Sequence, residues 1–200
     1  MSEADQRDVQ AAEHMRRYQG GERGAFEALV ALLGPALHRF FLHGFPDPGL
    51  ADDLYQETWM KVHAARHTHR PGEPVLPWIY GIARHVSADA RRRHARHRRR
   101  VEASAAVVHT LGPEGGTARP ADAEARTESA QLLSRALAEL PPQQREALIL
   151  LKIEGLSVAE AARAAGVSEG ALKVRAHRAY ARVRAFVEAA GGGPRGEGTS

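Results

Sequence analysis

Cysteine is absent from this 200-residue chain, which removes disulfide frameworks, thiolate zinc sites and cysteine nucleophiles together. No run approaches the roughly 20 apolar residues of a membrane span, and the opening MSEADQRDVQ lacks the apolar segment of a signal peptide. Both absences fit a cytoplasmic protein without direct membrane insertion. No alternating apolar stretch is long enough to build a sheet. Nor is there an HExxH pair, a Walker pattern, a phosphate-cradling glycine loop or a Ser-His-Asp grammar. Catalytic residues, metal ligands and cofactors are therefore expected to be none, and the chain is not expected to be an enzyme.

What the chain does contain is clustered positive charge and helical periodicity. The formal net charge is only +4, yet Arg91 to Arg100 reads RRRHARHRRR. Such a block belongs to a solvated helix end or to a segment that binds a polyanion. Apolar residues recur at spacings of three and four from Glu13 to His43, with Gly20-Gly21 interrupting the first part and Gly34-Pro35 predicting a break or kink. A turn at Pro46 to Gly49 precedes a helix from about Leu50 to about Ala65. His67 to Pro77 reads as a loop, and the helical pattern resumes from Trp78 to Arg100. Glycine, proline and scattered acids then dominate up to Arg126, the composition of a flexible linker. Leu132, Leu133, Leu137 and Leu140 open a second helical block, which Pro141-Pro142 divides. The fold class expected is all-α: two small helical domains, 12–100 and 128–189, joined by a flexible linker, 101–127, and followed by a disordered tail, 190–200.

The strongest local pattern runs from Leu156 to Arg184. Ser157 and Glu160 form a capping box, Gly166 supplies a left-handed turn and Ser168 caps a second helix. Leu172, Ala176, Ala179 and Val183 share one face of that helix, while Lys173, Arg175, His177, Arg178 and Arg182 occupy the other. Small Ala162 and Gly166 allow close approach, and Val167 and Leu172 fill the angle. This is the grammar of a helix-turn-helix, whose second helix enters the major groove; a solvated helix hairpin is the plainer alternative.

The first domain carries a less specific signal. Asp53, Gln56 and Glu57 share a helical surface that alone reads as an acidic helix N-terminus. Trp78 and Tyr80 follow a proline-rich loop, with Arg84, His85, Arg91, Arg92 and Arg93 along the next helix. Rings beside cations suit single-stranded nucleic acid, because bases stack on the rings while cations track the backbone. Core packing explains Ile79 equally well, and for Trp78 both readings stay open. His63 and His67 stand four apart but have no accompanying carboxylate, so surface histidines explain them better than a metal nuclease does.

Taken together, DDLYQETWMKVH, PWIYGIARHVSADARRR and ALAELPPQQREALILLKIEGLSVAEAARAAGVSEGALKVRAHRAYARVR resemble a bacterial extracytoplasmic-function sigma factor. The resemblance spans both domains, from about Ala12 to Ala189. It implies a factor that joins core RNA polymerase and directs promoter-specific initiation, reading the −35 duplex and the melted −10 strand. It also implies that Asp53, Gln56 and Glu57 meet the β′ clamp helices, with the β flap as a further polymerase contact. Trp78, Arg84, His85, Arg91 and Arg92 would face the −10 element, and Ser168, Lys173, Arg175, His177 and Arg178 the −35 element. Many relatives carry asparagine where this chain has His85, and some a polar residue at Val174. An anti-sigma factor is a further implied partner. A helix-turn-helix regulator that acts without polymerase is the alternative function.

Overall fold

The computed structural model describes residues 3–105 and 128–191, and every regular element among them is helical. Helix α1 spans Glu3–Gln19, α2 Ala25–Gly44, α3 Pro48–Ala65 and α4 Val75–Ala105, with a 3-10 turn at Arg66–Thr68. The second block comprises α5 (Glu128–Ala138), α6 (Pro142–Leu148), a π-helical segment (Ile149–Ile153), α7 (Val158–Ala165) and α8 (Glu169–Gly191). The expected linker lies outside the described residues except for 101–105, which continue α4. Most of the expected tail, 192–200, also lies outside them.

Three boundaries differ from the sequence expectation, each for a backbone reason. No break occurs at Gly34-Pro35, because α2 runs through Pro35. Proline removes one donor from the helix, but Leu33, Leu37, Phe40 and Phe41 anchor the flanking turns in the core. Gly34 is required by packing as well: a Cβ there would stand 2.7 Å from the Tyr55 hydroxyl. Helix α4 begins at Val75 rather than Trp78 because Pro77 sits in its first turn, where a missing N–H costs nothing. Pro142 likewise opens α6 as its first residue.

Helix α2 is long and apolar enough in composition to cross a bilayer, contrary to the sequence expectation. Its Leu29, Leu33, Leu37 and Phe41 are instead spent on the protein core. That core does not stop at the expected domain boundary. Met15, Leu33, Phe41, Ile79 and Val86 belong to the same buried cluster as Ile149, Leu150, Ala161, Ala164 and Leu172. A smaller cluster of Leu137, Leu140, Leu148 and Ala179 lies within the second half. The two halves are thus docked, with α4 lying along α7.

Candidate nucleic-acid interface

The helix-turn-helix is built by local hydrogen bonds. Ser157 Oγ accepts from the Glu160 N–H at 3.3 Å, and Glu160 Oε2 accepts from the Ser157 N–H at 2.8 Å, closing both sides of the capping box. Gly166 takes φ 62° and ends α7. Ser168 Oγ then accepts from the Ala171 N–H at 3.2 Å and caps α8. Leu172 and Ala179 are fully buried, so the opposite face of α8 points outward. Lys173, His177 and Arg178 are exposed on it and Arg175 is half-buried. Val174 is 50% exposed on the same surface. A cleft of about 580 Å³ between the start of α6 and this face is lined by Pro142, Gln143, Val174, Arg175 and Arg178. All five −35 candidates therefore come together around one helix.

The −10 candidates do not share one open surface. Trp78 is half-buried, and its ring meets that of buried His69 edge-on, with centroids 5.3 Å apart. His85 is exposed and its Nδ1 lies 2.8 Å from the Gly81 carbonyl oxygen. Arg92 is exposed and paired with Asp89. Arg84, by contrast, turns toward the second half, where its Nε donates to the Ala164 carbonyl at 3.1 Å. Its guanidinium occupies the space beside Gly166, where a Cβ would come within 2.9 Å of Nη2. Arg91 lies 4.8 Å from the centroid of the Phe45 ring. Burial lowers its pKa, and the nearby Glu146 carboxylate opposes that shift. Burial in turn raises the Glu146 carboxyl, against the attraction of Arg91, Arg84 and Arg175.

On the acidic face, Asp53 and Gln56 are exposed on α3. Glu57 is half-buried and bridges to α4, with Lys61 Nζ at 3.0 Å and Arg93 Nη2 at 3.2 Å. Burial alone would raise its carboxyl, but hydrogen bonds from Lys61 and Arg93 outweigh it and hold the group below the usual carboxylate range. His38 Nε2 and Asp52 Oδ1 meet at 2.7 Å beside this face.

Several residues that shape these surfaces carry no motif. The Leu76 N–H at the start of α4 donates to Asp8 Oδ1 of α1 at 2.7 Å. Gln19 Nε2 donates to the Arg66 and His69 carbonyls at 2.6 and 2.9 Å. Helix α1 thereby splints the loop that leads to Trp78. No sequence signal marks either contact, because each joins residues more than 45 positions apart. Among the described residues no group of three or more histidine, aspartate or glutamate side chains is placed to hold a metal. His63 is engaged with the Tyr18 hydroxyl instead.

The chain is similar to known proteins over both halves. Residues 29–97 match the sigma-70 region 2 family and residues 130–183 the sigma-70 region 4 family. The chain is 35% identical over 170 residues to the RNA polymerase sigma factor CarQ of Myxococcus xanthus, covering 85% of this chain and 93% of that one. It is 36% identical over 167 residues to the ECF RNA polymerase sigma factor SigF of Caulobacter vibrioides, covering 82% and 87%. Among solved structures, the sigma factor RpoE in complex with the anti-sigma factor NepR from Bartonella quintana superposes with a TM-score of 0.68 at 26% identity, covering 82% of this chain and 98% of that one. CnrH in complex with the cytosolic domain of CnrY gives 0.63 at 26% identity, covering 92% and 98%.

Proposed function

This chain belongs to the extracytoplasmic-function RNA polymerase sigma factors, DNA-binding initiation factors that join core polymerase, and within that function we propose a residue-level division of labour. Asp53, Gln56 and Glu57 dock on the β′ clamp helices, with Lys61 and Arg93 holding Glu57 in place. Trp78, Arg84, His85, Arg91 and Arg92 face the melted −10 strand, where a ring stacks on a base and cations follow the phosphates. Lys173, Arg175, His177 and Arg178 face the −35 duplex, with Ser168 setting the helix start against a phosphate. The β flap meets the second half. Nucleotide transfer remains the polymerase's chemistry, so this chain supplies binding alone, in the cytoplasm where the polymerase works. An anti-sigma factor is the regulatory partner that fits the family.

The observation that carries this reading is the order of the two matched regions on one chain, ending in a helix that exposes Lys173, His177 and Arg178 on one face. Two modest DNA sites on one scaffold gain effective concentration without new contacts. Purified core polymerase tests it: the full chain should co-elute with core. Failure to co-elute, with tight duplex binding retained, would establish the polymerase-independent regulator instead.

A further inference from the structure

Arg84 and Arg91 of α4 and Arg175 of α8 line one cleft of about 420 Å³, together with Gln143 and Glu146 of α6 and the turn at Gly166. The arginines are held there by groups outside the cleft. Arg84 Nε donates to the Ala164 carbonyl at 3.1 Å, and its Nη2 lies 3.3 Å from His85 Nε2. Arg91 rests on the Phe45 ring, 4.8 Å from its centroid. Arg175 is half-buried one turn beyond fully buried Leu172. A guanidinium carries five N–H donors in a planar fork, so these anchors orient the forks and leave most of their donors unspent.

The charges around the cleft do not balance. Three guanidiniums face the single carboxylate of Glu146, which leaves two positive charges unanswered. Burial lowers the Arg91 pKa in spite of that carboxylate, the response of a cation short of counter-charge. Arg145 adds to the surplus from behind: burial and the charge of Arg91 both lower its pKa, and its own donors are spent on the Gly44, Ala138 and Leu140 carbonyls. Glu146 is itself nearly buried, and burial raises its carboxyl against the pull of Arg91, Arg84 and Arg175. A partly desolvated set of cations in surplus is stabilised by an anion that enters it. A phosphate group carries about −1.5 to −2 at pH 7 and offers three acceptor oxygens, and guanidinium forks take it bidentately. It matches the surplus in sign and in size, where a carboxylate would answer only half of it.

We propose that this cleft is a binding site for a small phosphate-bearing anion, held by Arg84, Arg91 and Arg175, with Glu146 as the group that limits its affinity. Pro142 and Gln143 are exposed at its edge, so a nucleoside attached to the phosphate has a way out to solvent. The ligand competes with promoter DNA, because Arg84, Arg91 and Arg175 are the same side chains assigned to the −10 and −35 elements above. That competition rests on the sigma-factor reading; the site itself rests on the cleft and its charges.

Inorganic phosphate and GMP, titrated separately into the full chain by calorimetry at constant ionic strength, are the probes. Each should fill a single saturable site, and the Tm should climb with probe concentration. Arg91→Ala or Arg175→Ala should weaken binding about tenfold. Glu146→Gln should tighten it about tenfold, because the like charge facing the anion is gone; a merely structural role for Glu146 cannot produce a gain. Arg99→Ala combined with Arg100→Ala, at the exposed end of α4, should change nothing. Equal affinity for the two probes assigns the site to free phosphate, and tighter GMP assigns it to a nucleotide. If Arg91→Ala does not fold, Arg175→Ala and Glu146→Gln carry the test. No saturable binding of either probe, a Glu146→Gln variant that binds no tighter than the native chain, or loss of binding on substituting Arg99 and Arg100 would overturn the site. Saturable phosphate binding that leaves affinity for a promoter fragment unchanged would leave the site standing and refute the promoter role of its arginines.

Discussion

Helices α4 and α8 carry similar side chains and present them differently. On α8, Lys173, His177 and Arg178 stand in solvent, because Leu172 and Ala179, with Ala176 and Val183 packed beside them, satisfy the core from one face. On α4, Arg84 is bonded to α7 and Arg91 is packed on Phe45. The difference lies in how the neighbours are arranged, since each helix packs on three others. Helix α8 packs on α5, α6 and α7, which leave its outer face free, whereas α4 runs through the middle of the molecule against α1, α3 and α7. An arginine becomes a DNA contact only where its helix has a face to spare. On the proposed division of labour, the second half presents its cations as they stand, whereas Arg84 and Arg91 of the first are engaged within the protein.

The largest expected effect tests whether the first half's acidic face belongs to polymerase. Glu57→Lys places a third cation beside Lys61 and Arg93, and like charges facing one another cost several kcal/mol. Core affinity measured by size-exclusion or fluorescence titration should fall more than about tenfold, with −35 duplex affinity unchanged. Normal holoenzyme assembly by this variant would remove Glu57 from the interface. Arg178→Ala is the converse. Duplex binding should weaken by about 1–3 kcal/mol with relaxed sequence preference, if the guanidinium reads a base edge. Core binding should be unaltered, and unchanged duplex affinity and preference would show that α8 reads through other residues.

Asp8→Ala probes how the first half's reading face is held. Losing the acceptor for the α4 N-terminus should lower stability by about 1 kcal/mol, read as a reduced Tm. Asp8→Asn, which keeps an acceptor oxygen, should recover most of it. Equal losses in both variants would assign the effect to charge rather than to capping.

The smallest effect is on pH. Burial raises the Glu154 carboxyl above its ordinary range, against the opposing influences of the Tyr80 hydroxyl, Arg39 and Arg7. When the halves separate, the group returns toward its ordinary pKa, so closing takes up a proton between the two values. Closure should therefore tighten as pH falls through that window and loosen as pH rises. Glu57 has the opposite sign: its lowered pKa means that its ties to Lys61 and Arg93 are lost as pH falls through the folded value. In distance measurements, as pH falls through the ordinary carboxylate range the halves should stay together, and the α3–α4 clasp should weaken only below that range.

The helix-turn-helix was legible almost to the residue, because capping boxes, left-handed glycines and apolar spacing act over one or two turns. Ser157, Glu160, Gly166 and Ser168 all do what their spacing implies. The all-helical class was legible for the same reason. The docking of the halves was not, since it depends on pairs such as Arg7–Glu154 and Tyr80–Glu154, which lie 147 and 74 positions apart. One signal was available: Glu154 is an acid set between apolar Ile153 and Leu156 beside a glycine, a place where a charge needs a partner. Asp8 and Gln19 offered none, because a polar residue on an exposed-looking helix gives no hint of the loop it holds.

Transcription by core polymerase on a cognate promoter tests the split reader most directly. Adding the full chain should start specific transcripts. Base changes at −35 should matter less with Arg178→Ala, while sensitivity to −10 changes persists. No initiation, or equal loss of sensitivity at both elements from that single substitution, would contradict a promoter divided between α4 and α8.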